Sequence, residues 1–460
     1  MANPIIIIHG WSDTSKSFED LRNRLATQFT TETVVLNLGD YISIDDDVTV
    51  QDIAFAMNKD VQRFLNQINH KGKIDIVTHS TGSLVTRTWL YEYYKDRIKE
   101  IPVERLVMLA PANFGSPLAH KGQTFSSRMI KGFPSSLGNH KKIFQVGIKI
   151  LKALELGSQY SWDLSINDRF NENFDIYNKE NIMCSVIVGN SGYFGLRSAM
   201  NEEGSDGTVR VSASNLNCRY VRMDFTKDPH NPIIFPDYNS QGETAYFVAD
   251  NENHSTITGN GNEWGNEYTF GHIVESLKVT KDTFLEHCDS FRKQTDSLNV
   301  RNQYDRFKKP YNNFVTCLKD NFGNEIEDYF IEFYNIENMQ ESEDRDFVSH
   351  IFHNDLIKTV HAYSENSAYR SMLIDSTLIK ELQKILLKKG MKFIGISLSA
   401  IPIYNEAEGN NVGYLTFTDS DIGGYKLPVE LMDKIFKDNS TLLLEIKINR
   451  EISSEVFKIN

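Results

Sequence analysis

The first chemically informative feature is a serine between two apolar stretches. Ser80 stands in T-H-S-T-G at residues 78–82, after the strand-like run Ile74–Val77 and before Leu84–Leu90, which is typical of a helix. A tight strand-to-helix turn exposes such a serine as a nucleophile, and the unpaired N–H groups at the helix start favour a developing oxyanion. A serine before a helix is also typical of an ordinary N-cap, so this segment alone leaves both interpretations open.

A second feature, near the start of the chain, supports the nucleophile. Ile5–Ile8 is a continuous β-branched run, which is typical of a strand buried on both faces of a parallel sheet. Gly10 follows this strand, and a glycine at that place lets the backbone pass close to a ligand. We therefore expect the backbone N–H groups of Trp11 and Thr81 to form an oxyanion hole beside Ser80.

Three short segments resemble a known family. They are I-H-G-W at residues 8–11, T-H-S-T-G at 78–82 and N-F-G-S-P-L at 113–118. Over about residues 1–290 the chain resembles lipases and esterases of the α/β-hydrolase fold, and it is similar to soluble bacterial lipases akin to the deacylases of glycosylphosphatidylinositol. The resemblance implies a mostly parallel sheet and a catalytic triad in the chain order serine, acid, histidine. Thr78 departs from the family pattern, which has glycine there, and implies slightly wider packing of the turn.

The candidate for the triad acid is Asp206, in S-D-G-T-V at residues 205–209. It follows a strand predicted over Cys184–Gly189, and the lipases that the chain resembles carry their acid in a similar S-D-G-x-V loop. The alternative is a surface Asp-Gly turn, which is common in any chain. Position after a strand, in the expected chain order, favours the catalytic interpretation.

The candidate for the triad histidine is His254. It follows a strand predicted over residues 245–248 and lies in a polar loop, and lipases of this kind carry a similar N-H-S/T loop. His230 lies in a proline-flanked loop and stays open as a substitute. His272 and His287 fall in or near a helical pattern, which favours packing or exposure to solvent.

These residues predict acyl transfer through a covalent intermediate, without a metal or another cofactor. Ser80 attacks an acyl carbonyl after His254 removes its proton, while Asp206 orients the imidazole and stabilises the imidazolium. Water then releases the acyl group. His9 and His79 flank the site beside strand ends, where packing and local hydrogen bonds are the expected roles.

An insertion over residues 118–182 separates two predicted strands, 106–110 and 184–189, and is too long for a plain connection. Its clearest element, residues 141–156, has apolar side chains on more than one face. Both a helix buried in a cap and a mobile lipase lid explain this pattern. Either would place an apolar roof over Ser80, which favours acyl chains over small charged esters.

The length of 460 residues predicts two domains. We expect an α/β-hydrolase domain at 1–290, a helical linker at 291–310 and an all-β sandwich at 311–460. Period-two alternation of apolar residues at 394–398 and 444–448 supports the sandwich. This accessory domain could contact a lipid surface or a partner protein, or only brace the hydrolase.

Amino-acid composition indicates which classes of partner the protein can bind. The formal net charge is −13 and no basic face is concentrated in the sequence, so we expect no nucleic-acid partner. With no cleavable signal or spanning segment apparent, a cytoplasmic location is expected, and export by a signal-less machine stays open.

The sequence thus predicts a lipase or phospholipase A-type ester hydrolase. An acyltransferase using the same acyl-enzyme and a non-catalytic scaffold with a hydrolase-like domain are the alternatives.

Overall fold

The structure is a computed structural model that divides the chain into two compact units. Unit 1 comprises Met1–Asn217 and Ser240–Lys309, and unit 2 comprises Cys218–Asn239 and Pro310–Asn460. The residues that it describes are 2–10, 18–36, 47–119, 147–195, 198, 201–230, 232–234, 238–259, 267–336, 342–401 and 425–449. Trp11 and residues 120–146 of the predicted insertion lie outside the described residues.

The strands of both units are numbered along the chain. They are β1 (Ile5–Ile8), β2 (Thr33–Leu36), β3 (Ile74–His79), β4 (Val103–Leu109), β5 (Met183–Gly189), β6 (Arg219–Asp224), β7 (Ile233–Ile234), β8 (Tyr238–Asn239), β9 (Ala245–Ala249), β10 (Tyr311–Asp320), β11 (Asp328–Tyr334), β12 (Ile357–Ala362), β13 (Tyr369–Asp375), β14 (Phe393–Ile401), β15 (Tyr425–Pro428) and β16 (Ser440–Ile448).

The helices are numbered in the same way. They are α1 (Glu19–Phe29), α2 (Val50–Gln67), α3 (Thr81–Tyr94), α4 (Ile148–Ala153), α5 (Gln159–Arg169), α6 (Val211–Ser214), α7 (Glu267–Ser276), α8 (Phe284–Arg301), α9 (Ser342–Ile351), α10 (Ser376–Lys388) and α11 (Met432–Ile435). Short 3₁₀ helices cover Ile98–Glu100, Glu172–Phe174, Thr256–Thr258 and Val429–Leu431, and a π-helical turn covers Phe352–Leu356. None of the helices within the described ranges is both long and apolar enough to span a bilayer.

A six-stranded parallel sheet forms the centre of unit 1, in the order β2-β1-β3-β4-β5-β9. β1 lies between β2 and β3, and all four of its isoleucines are buried. Such a strand has both faces covered by helices, which explains why its sequence is continuously apolar rather than alternating. The predicted mostly parallel hydrolase sheet is confirmed.

Helix α3 is the element that fixes the serine turn to this sheet. Its apolar residues Leu84, Val85, Trp89 and Leu90 are completely buried, and the helix packs against α2. A helix covered on nearly every face has little freedom to move. The turn at its first residue is therefore held by the core of unit 1.

The described part of the insertion belongs to the core of unit 1. Ile150 on α4 is completely buried, and Leu154 and Leu156 are nearly so. On α5, Asp168 binds Arg87 of α3 through two contacts of 2.8 Å between fully buried side chains. Residues 147–182 thus contribute to the hydrolase core, and the lid interpretation concerns residues outside the described ranges.

The described residues of unit 2 form two sheets. The larger is mixed, with the order β12-β13-β10-β16-β6-β7 and β8 paired to β6, and the smaller is antiparallel, with the order β11-β14-β15. Side chains from both sheets share one hydrophobic core, which includes Phe314, Leu444, Phe333 and Leu398. The predicted C-terminal β domain is confirmed, but the region is not all-β as predicted, because it also contains helices α9, α10 and α11.

The boundaries of the two units differ from those of the predicted domains at two places. β6, from the segment between Asp206 and His254, pairs in parallel with β16 and so belongs to unit 2. The predicted linker at 291–310 is largely the end of α8, where Phe291 and Leu298 lie in the core of unit 1. That stretch is therefore part of the first unit rather than a connector.

One ionisable side chain in this sheet gives a pH-dependent prediction. Asp75 on β3 is 4% exposed and binds Arg105 at 3.1 Å and Asn3 at 3.1 Å. Burial raises the pKa of its carboxyl group to about 6, against the opposing effects of Arg105 and Asn3. The unfolded chain loses this proton near pH 4, so the stabilisation is complete below that pH and is lost as the pH rises to about 6.

Asp75→Asn should remove this pH dependence. Between pH 4 and pH 7 the unfolding free energy of the native chain should fall by roughly 3 kcal/mol relative to that of the variant. Guanidinium unfolding of both proteins at several pH values measures this difference, with the exposed Asp96→Asn as control. A difference that stays constant across the range would contradict the prediction.

Candidate active site

Ser80 lies on a strained turn between β3 and α3. Its backbone has φ 53° and ψ −125°, a positive φ that is uncommon for a residue with a side chain. β3 ends at His79 and α3 begins at Thr81, so a single residue makes the turn. This is the geometry of a nucleophile elbow, which exposes a serine hydroxyl at the carboxyl edge of a sheet.

Two glycines allow this turn to approach β1 closely. A Cβ atom on Gly10 would lie 2.6 Å from Ser80 Cβ and 3.2 Å from its Oγ. A Cβ atom on Gly82 would lie 2.6 Å from the carbonyl oxygen of Ile8. A Cβ atom cannot come within 2.6 Å of another heavy atom without displacing it, so both positions need glycine if the elbow is to keep its place beside β1.

Thr78 occupies the position where the resembling family has glycine. It is completely buried, and its hydroxyl lies 2.6 Å from the hydroxyl of Ser83 on α3. This hydrogen bond satisfies two polar groups that would be costly to bury alone. It also ties the end of β3 to the first turn of α3.

The structure brings Ser80, Asp206 and His254 together. His254 Nε2 lies 3.0 Å from Ser80 Oγ, and its Nδ1 lies 2.9 Å from Asp206 Oδ2. Because a carboxylate accepts, Nδ1 carries the proton and Nε2 accepts from the serine hydroxyl. Asp206 and His254 are buried, whereas Ser80 is partly exposed. Ser80 is thus the member of the three that is most open to a substrate.

Backbone groups hold Asp206 for this contact. The N–H groups of Thr208 and Val209 donate to its Oδ1 at 2.9 and 2.8 Å, which leaves Oδ2 for His254. The N–H of His254 donates to the Asp206 carbonyl oxygen at 3.0 Å. The acid and the histidine are therefore joined by backbone as well as by side chain.

An ion pair closes the loop that carries Asp206. Arg210 binds the carboxylate of Glu202 through two contacts of 2.8 Å, and its side chain is almost fully buried. The N–H of Val211 donates to the Gly204 carbonyl oxygen at 2.9 Å. These bonds across the neck make residues 202–211 a compact unit, which we call the acid loop.

The N-F-G-S-P-L segment after β4 binds the acid loop and the helix α6 that follows it. Ser116 Oγ donates to the carbonyl oxygen of Thr208 at 2.5 Å. The amide of Asn113 donates to the carbonyl oxygen of Ser214 at 2.8 Å. Sequence reasoning had identified this segment by resemblance alone, and the structure assigns it a contact.

His79, next to Ser80, supports the backbone of His254. Its Nε2 donates to the His254 carbonyl oxygen at 2.9 Å, and the two rings are 4.7 Å apart. Burial, with a smaller contribution from His254, lowers the pKa of His79 well below its usual value. His79 is therefore neutral near pH 7. His9 stacks on Phe18 with ring centroids 5.4 Å apart, so both histidines pack beside the site.

The other candidates have different surroundings. His230 is exposed and belongs to the segment of unit 2. His272 and His287 contact the Glu275 carboxylate at 3.1 and 3.4 Å. Among the described residues, no group of three or more His, Cys, Asp or Glu side chains is arranged to hold a metal ion.

One expected oxyanion donor lies within the described residues. Thr81 is the first residue of α3, where backbone N–H groups have no carbonyl partner inside the helix. Trp11 lies outside the described residues, so its role stays a prediction. Gly10, which directly precedes Trp11, is described, and its backbone passes close to Ser80.

Sequence reasoning missed two residues that support the site. Asn190, directly after β5, donates to Asp250 at 3.0 Å and accepts from the Asn251 N–H at 2.9 Å. Asp250 and Asn251 belong to the loop 250–256 that carries His254, which we call the histidine loop. Arg87 of α3 binds Asp168 in the core and donates to the Asn113 carbonyl oxygen at 3.0 Å. An arginine inside an apolar helix pattern was the signal for the second of these.

Comparison with known proteins gives matches of different extent. The profile of a family described as a domain of unknown function (DUF7379) matches residues 2–131. No curated protein matches the chain. Phospholipase PlaB from Legionella pneumophila in complex with thio-NAD has a TM-score of 0.79 at 22% identity, covering 100% of this chain and 96% of that one. A second PlaB structure has a TM-score of 0.77 at 21% identity, with the same coverage.

A lipase from Bacillus licheniformis, BlEst2 in mature form, has a TM-score of 0.37 at 15% identity and covers 60% of this chain and 93% of that one. At these identities the likeness concerns the fold. Together with the parallel sheet and the elbow, the PlaB alignment over the whole chain establishes that unit 1 has the α/β-hydrolase fold. A link to the deacylases of glycosylphosphatidylinositol stays a prediction.

The close approach of Gly10 to Ser80 can be tested by Gly10→Ala. The added methyl group must displace Ser80, and displacement of a reacting group by about 1 Å can cost roughly 100-fold in rate. We expect the kcat/KM for ester hydrolysis to fall by about that factor.

Gly271→Ala is the matched control, since an added Cβ on this exposed residue of α7 would meet nothing within 4 Å. It should keep the native rate and gain about 0.5–1 kcal/mol of helix stability. Native turnover by Gly10→Ala would show that the spacing at Ser80 does not matter.

Proposed function

We propose that this protein is a serine hydrolase that cleaves carboxylic esters of lipids. One observation carries the proposal: the hydrogen-bonded series from Ser80 Oγ through His254 to Asp206, with distances of 3.0 and 2.9 Å. It lies at the carboxyl edge of the sheet, on an α/β-hydrolase fold. Nucleophile, base and orienting acid are within the reach that acyl transfer needs.

In the first half of the reaction an acyl group moves to the enzyme. His254 Nε2 takes the proton of Ser80 as Oγ attacks the ester carbonyl carbon, and Asp206 stabilises the imidazolium that forms. The tetrahedral intermediate then collapses, and His254 gives its proton to the leaving alkoxide. The alcohol departs, and the acyl group stays on Ser80 as an ester.

The second half returns the enzyme to its starting state. His254 removes a proton from water as the water oxygen attacks the acyl carbon, and Ser80 leaves with that proton. In both halves the negative oxygen is stabilised by backbone N–H groups, for which we propose Thr81 and Trp11. Loss of one such donor costs on the order of 3 kcal/mol in the barrier.

The proposed substrate is a lipid ester, of the phospholipase A or lipase type. Support comes from the PlaB structures, which belong to a protein named a phospholipase and align over the whole chain. Asp206 and His254 are buried, which favours the proposed reaction, because charges are stabilised more strongly in a site from which the substrate excludes water.

Substitution of the three residues tests the mechanism. Ser80→Ala, Asp206→Asn and His254→Ala should each lower the kcat for p-nitrophenyl esters by several orders of magnitude, about 10⁴-fold for the asparagine. His230→Ala is the control and should keep the native rate. Circular dichroism checks that each variant is folded. Native turnover by Ser80→Ala, or loss with His230→Ala alone, would remove the assignment.

Substrate chain length tests the lipid part of the proposal. Esters with long acyl chains should have a higher kcat/KM than acetate esters, and phospholipids should release a free fatty acid. Products analysed with and without an added alcohol separate hydrolysis from transfer. Preference for acetate, with no release from phospholipids, would contradict a lipid substrate.

A further inference from the structure

The residues that follow helix α8 contact both loops of the proposed triad. We consider Arg301, the end of α8, and the turns up to Lys308, and call residues 301–308 the clamp segment. We propose that this segment holds the acid loop and the histidine loop in fixed positions relative to each other, with Arg306 and Lys308 as positioning residues. The inference rests on the proposed function for its kinetic consequence, but not for the contacts.

The first contact is with the acid loop. The carbonyl oxygen of Phe307 accepts from the N–H of Gly204 at 3.0 Å, two residues before Asp206. The guanidinium of Arg306 binds the carboxylate of Glu203, which is 14% exposed. A backbone bond and an ion pair thus attach neighbouring residues of the acid loop to neighbouring residues of the clamp segment.

The second contact is with the loop that carries His254. The ammonium of Lys308 lies 2.5 Å from the side-chain oxygen of Asn251 and 3.4 Å from Asp250. Arg301 lies 2.5 Å from the other carboxylate oxygen of Asp250. Burial alone would raise the pKa of Asp250, but the amide of Asn190 and the charges of Lys308 and Arg301 outweigh it and lower the pKa.

The clamp segment has its own internal order. The carboxylate of Asp305 accepts from the N–H of Phe307 at 3.0 Å, and its carbonyl oxygen accepts from the N–H of Lys308 at 3.1 Å. These bonds fix the turn that presents the Phe307 carbonyl oxygen to Gly204. The segment therefore contacts the two loops as a preformed unit.

Position within the loops gives these contacts a catalytic meaning. Glu203 and Gly204 precede Asp206 by three and two residues, and Asn251 precedes His254 by three. In addition to their contacts with the clamp segment, the two loops bind each other directly through the Asp206–His254 hydrogen bonds. Catalytic groups must stay within about 0.5 Å of the productive geometry, so a second connection between the loops would reduce their relative motion.

The contribution to overall stability should be small. The side chain of Arg306 is 74% exposed, and exposed ion pairs add little to the unfolding free energy. If these ion pairs only stabilised the fold, their loss would change the melting temperature, loop motion and kcat very little. A positioning role predicts a different pattern, in which loop motion and kcat change while the melting temperature and KM hardly do.

The experiment combines kinetics with hydrogen exchange on the full chain. In the double variant Arg306→Gln/Lys308→Met, amide exchange in peptides covering 202–211 and 250–256 should become at least about tenfold faster. The kcat for p-nitrophenyl esters should fall about tenfold, with KM within about twofold of native. Lys308→Arg, combined with native Arg306, should restore native exchange and native kcat.

Arg292→Gln is the matched control, because this arginine of α8 pairs with Asp289 and Glu243 and with neither loop. It should change neither exchange nor kcat. Unchanged exchange in the double variant would overturn the clamp, and faster exchange with native kcat would overturn its positioning role. If the native chain hydrolyses no ester, the proposed function fails, and exchange alone still decides whether the clamp exists.

Discussion

The hydrogen bond between His254 and Asp206 is the interaction on which the site depends. It joins two loops that are 48 residues apart and orients the imidazole toward Ser80. Between those loops the chain leaves the first unit at residue 218, adds β6 to the sheet of unit 2, and returns at residue 240. A bond across such a separation cannot rely on local chain geometry, so it needs support from elements that are distant in sequence.

That support comes from several directions. Thr208 and Val209 hold the carboxylate, His79 holds the backbone of His254, and Ser116 binds the acid loop from the segment after β4. Ser80 is placed independently, because Gly10 and Gly82 let the elbow contact β1 and the buried helix α3 anchors it. The proposed nucleophile thus belongs to the centre of the sheet, while the proposed acid and base belong to loops that other contacts must fix.

This difference explains how much could be predicted from sequence. The strands Ile5–Ile8, Ile74–His79 and Met183–Gly189 are mostly apolar in sequence and buried at every position, and the candidate residues follow strands, so their meeting at one sheet edge could be predicted. The pairing of β6 with β16 could not, because it joins residues more than 200 positions apart and neither strand carries a local signal of its partner. The packing of α5 through Arg87 and Asp168 was likewise hidden, since ion-pair partners cannot be read from composition.

The central claim is that Ser80 is a nucleophile activated by His254, and a covalent trap tests it most directly. The native protein is treated with a long-chain alkyl fluorophosphonate, and the site of addition is mapped by mass spectrometry of its peptides. The account predicts one phosphonyl group per chain, on Ser80, formed at least about 1,000-fold more slowly in His254→Ala. No adduct, or an adduct on another residue at an undiminished rate, would contradict it.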